Sequence, residues 1–369
     1  MTRAPRVSAV NADVLHLSGP VLVGADEQRD QAWVVGGRLT FERPAGRDVT
    51  MIEGVVLPGL VDAHCHIGLG PEGAVDEATS QAQALTDRDA GALLLRDAGS
   101  PADTRWIDAR EDLPRVVRAG RHIARTKRYL RNYAHEVEPD QLAATVTREA
   151  RRGDGWVKIV GDWIDRDSGD LAPCWPLEAL RAAMAAAHAE GARVTAHCFG
   201  VDALPDLIAS GIDCIEHASG LNHQTTIAAA SAGIAVVPTL VNIATFPSLA
   251  TAGEAKFPTY AANMRALHAR RYVNVRDAFD EGVPIYVGTD AGGNIPHGLV
   301  ADEIAELVRA GLPAIAALDA GCWGARSWLR WPGLDEGADA DLVVYPEDPR
   351  TDVAVLRHPR AVILRGRLL

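Results

Sequence analysis

His64-Cys65-His66 closes the apolar run Leu57-Pro58-Gly59-Leu60-Val61-Asp62-Ala63, so two imidazoles stand two residues apart at the end of one segment. In a β-strand, residues i and i+2 share a face, which aims both rings at one point in space. Imidazole is the commonest protein ligand of catalytic zinc, and a His-x-His pair supplies two of the ligands such a site needs. Two unrelated histidines sharing a face would look the same, so the decision rests on what else reaches that point.

Four further polar residues end short apolar segments. They are Lys158 in Trp156-Val157-Lys158-Ile159-Val160, His197 in Arg193-Val194-Thr195-Ala196-His197, His217 in Cys214-Ile215-Glu216-His217, and Asp290 in Ile285-Tyr286-Val287-Gly288-Thr289-Asp290. In a βα barrel the C-terminal strand ends line one face, where active sites of that fold sit, so these positions would converge. Lys158 is the least ordinary of them. An ammonium on the inward face of an apolar strand is costly unless it is paired or neutralised. It could be a neutral Schiff-base nucleophile, an amine carboxylated by carbon dioxide into an anionic bridging ligand, or one half of a salt bridge to Asp162 or a neighbour. With histidines on all sides, the bridging ligand ranks first.

The elements that must position these groups follow from periodicity. Candidate strands at 58–66, 92–97, 115–120, 156–160, 193–197, 213–217, 235–239 and 285–290 alternate with helical stretches such as Pro176 to Glu190 and Ala203 to Ser210. Gly191 and Gly211 stand just past those two helices as stops. Alternation of this kind is the mark of parallel βα units. Residues 8 to 56 read instead as short β segments (14–17, 31–35, 38–41 and 51–56), and the same texture returns at 341–345 and 361–364. The expectation is an α/β chain: a TIM-type (β/α)8 barrel over 57–334, with a small β-sandwich domain from both chain ends, 1–56 plus 335–369.

Composition bounds the rest. A length of 369 residues exceeds the roughly 250 of a bare barrel, and 47% hydrophobic with 23% charged residues is ordinary for a soluble globular protein. No run approaches the roughly 18 apolar residues of a membrane span, and Met1-Thr2-Arg3-Ala4-Pro5-Arg6 does not open a secretory signal, which makes a cytoplasmic location the expectation. Five cysteines without a Cys-x-x-Cys pair argue for reduced thiols and against a disulfide framework or zinc knuckle. A formal charge of −12 disfavours nucleic acid and anionic membranes as partners and does not identify a substrate; a small-molecule substrate is the expectation. A homo-oligomer is compatible with all of this.

Taken together, the chain resembles the amidohydrolase superfamily, in its imidazolonepropionase-like and prolidase-like branch. The resemblance covers essentially the whole chain. It rests on Pro58 to His66, Val157-Lys158-Ile159, Ala196-His197, Gly211 to His217, Val237-Pro238-Thr239-Leu240, Gly288-Thr289-Asp290-Ala291 and Gly337 to Val344. It implies a binuclear metal-dependent hydrolase. His64, His66 and Asp290 would bind the more buried ion, His197 and His217 the more exposed one, and carboxylated Lys158 would bridge them. Zinc is the first choice for these nitrogen and oxygen donors, with manganese, cobalt or iron compatible. A hydroxide held between the ions would attack a carbonyl, and Asp290 would carry its proton to the leaving nitrogen.

One departure narrows the chemistry. The mononuclear deaminase branch carries His-x-x-Glu after the third histidine, whereas His197 is followed by Cys198-Phe199-Gly200. With Lys158, this favours two metals and hydrolysis of an amide, as in a dipeptide or N-acyl amino acid. The same site could act on an ester, lactone or organophosphate, and a Schiff-base aldolase using Lys158 is the remote alternative. The basic and aromatic segment 121–135 is expected to overhang the site. Its Tyr133 and His135 are candidate substrate contacts, and the competing reading is a solvated basic helix face.

Overall fold

The computed structural model describes residues 14–45 and 48–369; the Met1-to-Arg6 start and the β texture expected over 8–13 lie outside the described residues. Parallel strands form two sheets. One is ordered Arg115–Arg118, Ala92–Asp97, Leu60–Cys65, and the other His135–Val137, Ile123–Arg125, Trp156–Val160, Arg193–Cys198, Cys214–His217, Ala235–Val237. Every residue of Leu60–Cys65, Ala92–Asp97 and Trp156–Val160 is buried, as strands covered on both faces must be.

The expected closed barrel is met only in part. Segment 285–291 joins the two sheets through single bridges, Val236 with Ile285 and Cys65 with Ala291, supported by the Ala63 N–H donating to Val287 O at 2.8 Å. On the other side the chain simply runs from Arg115–Arg118 into Ile123–Arg125, so the link there is covalent rather than a ladder. The eighth strand breaks for a local reason. A side chain on Gly288 would place its Cβ 2.4 Å from Val237 Cγ1, and Asp290 has φ 59°, outside the extended region.

The chain ends build one mixed eight-stranded sheet, not a pair of facing sheets defined by strand pairing. Its order is Arg367–Leu368, Ala361–Leu364, Leu342–Tyr345, Val55–Pro58, Val14–Leu22, Gln28–Val35, Arg38–Thr40, with Val49–Glu53 also pairing Val14–Leu22. Val14–Leu22 changes partner midway: Val14 to Ser18 pair with 49–53, and Val21 pairs with Val56. Gly19 permits the switch, since its φ is 132° and a Cβ there would meet Gly54 O at 2.4 Å. The expected strand 58–66 is likewise two strands. Pro58 still pairs with Leu342 in the end sheet, whereas Leu60 pairs with Ala92 in the parallel one.

The helices fall where the sequence puts them. Leu177–Ala189 and Leu204–Ala209 each end before a left-handed glycine, Gly191 at φ 73° and Gly211 at φ 83°. Inward residues Val61, Ala63, Leu94, Val117, Trp156, Cys214, Ala235 and Val237 form one core cluster, floored by Ala325 of helix Trp323–Trp328 and by Leu329 at its end. Trp328 stacks on Tyr286 at 4.3 Å and meets Trp156 edge-on at 5.0 Å. The opposite ends of the same strands are thereby left to carry polar groups. Among the described residues no helix is long and apolar enough to cross a membrane.

Candidate metal centre

His64, His66 and Asp290 converge. His64 Nε2 lies 3.2 Å from His66 Nε2 and 3.0 Å from Asp290 Oδ1, and His66 Nε2 lies 2.9 Å from the same oxygen. Their other ring nitrogens are already committed. His66 Nδ1 is 2.7 Å from Gly99 O, which can only accept, so Nδ1 carries the proton. His64 Nδ1 donates to Glu216 Oε2 at 2.7 Å. With both outer nitrogens so engaged, the two Nε2 atoms and Asp290 Oδ1 face one another, and hydrogen-bonded outer nitrogens are usual for metal-bound histidines. These three residues form a possible metal-binding group.

His197 and His217 form a second, adjacent pair. His197 Nδ1 is 3.0 Å from His217 Nε2, His217 Nδ1 is 2.7 Å from Thr239 Oγ1, and the His64 and His217 rings are 5.1 Å apart. Burial holds both rings of this pair well below the ordinary histidine range, leaving them neutral and able to donate lone pairs. His197 Nε2 is buried without a partner, with Asp162 Oδ1 3.9 Å away.

Lys158 is 1% exposed, on a strand between these groups. Its expected salt-bridge partner is engaged elsewhere: Asp162 accepts from the backbone N–H groups of Phe199 and Gly200 at 3.0 and 2.5 Å. Among the described residues no ion pair includes Lys158. Burial lowers its pKa against the pull of Glu216 and Asp290, favouring the free amine, the form that reacts with carbon dioxide.

Several residues that hold this centre were not singled out from the sequence. Glu216 is fully buried between His64 and the equally buried Arg96, whose Nη2 lies 2.6 Å from Glu216 Oε1. Thr195 Oγ1 also donates to that oxygen. Burial alone would raise the Glu216 carboxyl, but the Arg96 guanidinium, with the His64 N–H beside it, holds it well below the usual range. Arg96 Nε donates to Ala63 O at 2.6 Å, and its guanidinium lies 4.6 Å over Trp156, tying the centre to the floor of the strands. Asn242 Nδ2 donates to Asp290 Oδ2 at 2.7 Å. Asp62, two residues before the His-x-His pair, accepts from the N–H groups of His64 and Thr289 and so pins two strand ends together.

Backbone strain gathers here as well. His217, Ala218, Thr239 and Asp290 all have left-handed φ values, between 47° and 65°. The turn that carries Thr239 and Asn242 is held by fully buried Glu303, which accepts from the N–H groups of Leu240 and Val241 at 2.7 and 2.8 Å. Burial pushes the Glu303 carboxyl up from 4.5 to about 8. The folded protein therefore keeps a proton that the unfolded chain has lost, so this group's contribution to stability falls as pH rises from about 4.5 through 8. Thermal unfolding of Glu303→Gln should show a shallower fall in Tm between pH 5 and pH 8 than the parent chain. Parallel slopes would refute the assignment.

The segment 121–135 is not a helix. It contains strand Ile123–Arg125 and turns, with His135 opening the next strand. The Tyr133 hydroxyl donates to Gly70 O at 2.9 Å, and His135 Nε2 lies 3.0 Å from Glu149 Oε1. Tyr129 is the tyrosine of this segment that meets a centre histidine, 5.7 Å from the His197 ring.

Residues 55–369 match the amidohydrolase family. The chain belongs to that family. This amidohydrolase is an enzyme acting on carbon–nitrogen bonds. It is 56% identical over 367 residues to an uncharacterized protein of Mycobacterium tuberculosis, covering 99% of this chain and 98% of that one. The crystal structure of a Xaa-Pro dipeptidase with bound methionine in the active site superposes with TM-score 0.81 at 22% identity, covering 96% of this amidohydrolase and 99% of that chain. The Aspergillus niger ochratoxinase structure gives TM-score 0.79 at 21% identity, with 97% and 95% covered. At such identities the likeness is one of fold.

Proposed function

We propose that this amidohydrolase is a binuclear metal-dependent hydrolase that cleaves the amide C–N bond of a small molecule such as a dipeptide or N-acyl amino acid. The observation that carries this reading is the convergence of His64 Nε2, His66 Nε2 and Asp290 Oδ1 on one point, with the neutral His197 and His217 pair beside it. Two divalent ions, zinc first among them, would supply acidification of water to a pKa of about 7 and polarisation of the scissile carbonyl. His64, His66 and Asp290 would hold one ion, His197 and His217 the other, and carboxylated Lys158 would link them.

The chain's own part is proton management. Asp290 would take the proton of the attacking water and hand it to the leaving nitrogen, while the Asn242 amide holds its second oxygen in place. Glu216 and Gly99 O keep the histidine tautomers fixed throughout. The same reading divides the chain into 57–334, which carries the reaction, and an end-built unit of 1–56 plus 335–369.

The test is metal analysis of the purified protein combined with a hydrolysis screen of dipeptides and N-acyl amino acids. Two metal equivalents per chain, activity abolished by chelation and a carboxylated Lys158 are expected. An active preparation with one metal and an unmodified lysine would overturn the binuclear reading. Chelator-insensitive activity with a borohydride-trapped adduct on Lys158 would replace it by Schiff-base chemistry.

A further inference from the structure

An extra hairpin, strands Asp162–Asp165 and Asp170–Pro173, follows the strand that bears Lys158. It brings Trp163 over the outer histidine, with ring centroids 5.5 Å apart. Tyr129 comes to the same place from a different segment, 5.7 Å from His197, and meets Trp163 edge-to-face at 4.8 Å and 67°. Phe199 closes the far side at 4.3 Å from His197. Trp163 and Tyr129 are only half-buried, unlike the rings beneath them, and neither the indole N–H nor the phenol donates to a protein acceptor among the described residues. Half-buried Tyr and Trp with free polar tips are surfaces suited to receiving a ligand.

Arg128 and Arg121 of the basic segment 121–135 are spent on backbone carbonyls, Arg128 on those of this wall. Arg128 Nη2 donates to Trp163 O at 3.0 Å and to Ala172 O at 2.8 Å, gripping both strands of the hairpin, while its Nη1 lies 3.2 Å from Asp165. Arg121 donates to the carbonyls of Asn132 and Tyr133. Arg128 adjoins Tyr129 in sequence, so one residue pair fixes the tyrosine ring and the tryptophan hairpin as a unit. Such a wall is formed before a ligand arrives.

We infer that the substrate carries a planar aromatic group next to its scissile bond, seated against Tyr129 and Trp163 above His197, with Arg128 as the positioning residue of that wall. This rests on the amide-hydrolase reading and adds to it a preference for aromatic over small aliphatic and anionic groups.

The experiment compares zinc-loaded full-length chain on matched N-acetyl amino acids differing only in side chain: Phe, Ala and Glu. A kcat/KM at least about tenfold higher for Phe than for Ala or Glu is expected. In Trp163→Ala the Phe-to-Ala ratio should collapse toward one, Trp163→Phe should keep most of it, and Arg128→Met should reduce it chiefly through KM. In parallel, benzohydroxamate and acetohydroxamate are titrated by tryptophan fluorescence, which needs no turnover. Benzohydroxamate should bind at least about tenfold tighter in the parent chain but not in Trp163→Ala. A flat Phe-to-Ala ratio, or a ratio unchanged in a folded Trp163→Ala variant, overturns the inference while leaving amide hydrolysis standing. No hydrolysis of any amide, with benzohydroxamate preference intact and dependent on Trp163, overturns the amide reading and leaves the aromatic wall standing.

Discussion

Lys158→Ala is expected to lower kcat by about a thousandfold or more and to reduce bound zinc from two equivalents to one. The proposed carboxylated lysine would supply the protein's own anionic oxygens shared by both ions, and loss of several kcal/mol of charge stabilisation at the reacting centre translates into that factor. The structure adds a second readout. Lys158 is buried and makes no ion pair among the described residues, and burial outweighs the pull of Glu216 and Asp290, so its unmodified amine adds little to stability. The metal-free variant should therefore unfold at a temperature close to that of the metal-free parent, separating loss of chemistry from loss of fold. Short carboxylates such as acetate or propionate should restore part of the activity by entering the vacated space. Full activity in Lys158→Ala would refute the bridging role.

Glu216→Gln should weaken zinc binding by roughly 10- to 100-fold, the usual effect of removing an outer partner of a metal-bound histidine. It should also cost about 3–5 kcal/mol of stability, because Arg96 is left charged and unpaired in the interior. The reason is a count of donors. Arg96, Thr195 and His64 all direct hydrogens at the two Glu216 oxygens, and glutamine replaces one oxygen with an amide that can only donate. Adding Arg96→Met should recover part of the stability, since the unpaired charge is gone, yet leave zinc affinity low. Calorimetric unfolding and zinc competition with a chromophoric chelator read the two effects independently. Recovery of both together would mean that Glu216 acts only through packing.

The His-x-His pair was legible because the two-residue strand period needs no tertiary information, and Asp290 and Lys158 because polar ends on apolar strands are few. Arg96 and Glu216 were legible by the rule applied to Lys158. Each is a charge inside a fully buried strand, and such charges must find partners. That rule was not carried past the motif residues. What the sequence could not disclose lies in chain geometry. Asp290 leaves the extended region, so the final strand pairs by single bridges, and the backbone carbonyls that occupy Arg121 and Arg128 have no signature in side-chain types. The segment 121–135 accordingly read as a basic surface, when its Arg121 and Arg128 are ties to backbone carbonyls.

Val55–Pro58 pairs with Leu342–Tyr345, with Val56 opposite Val344 roughly 290 residues downstream. During synthesis the earlier strand must wait on the order of 15–60 s at ordinary elongation rates for its neighbour to emerge. Throughout that interval Val55, Val56 and Leu57, all buried in the finished protein, form an open apolar edge able to pair with another nascent chain. Yield from the ribosome is thus tied to how quickly residues 342–364 arrive, and slowing translation ahead of them should send product into aggregates even when every residue of the metal centre is intact.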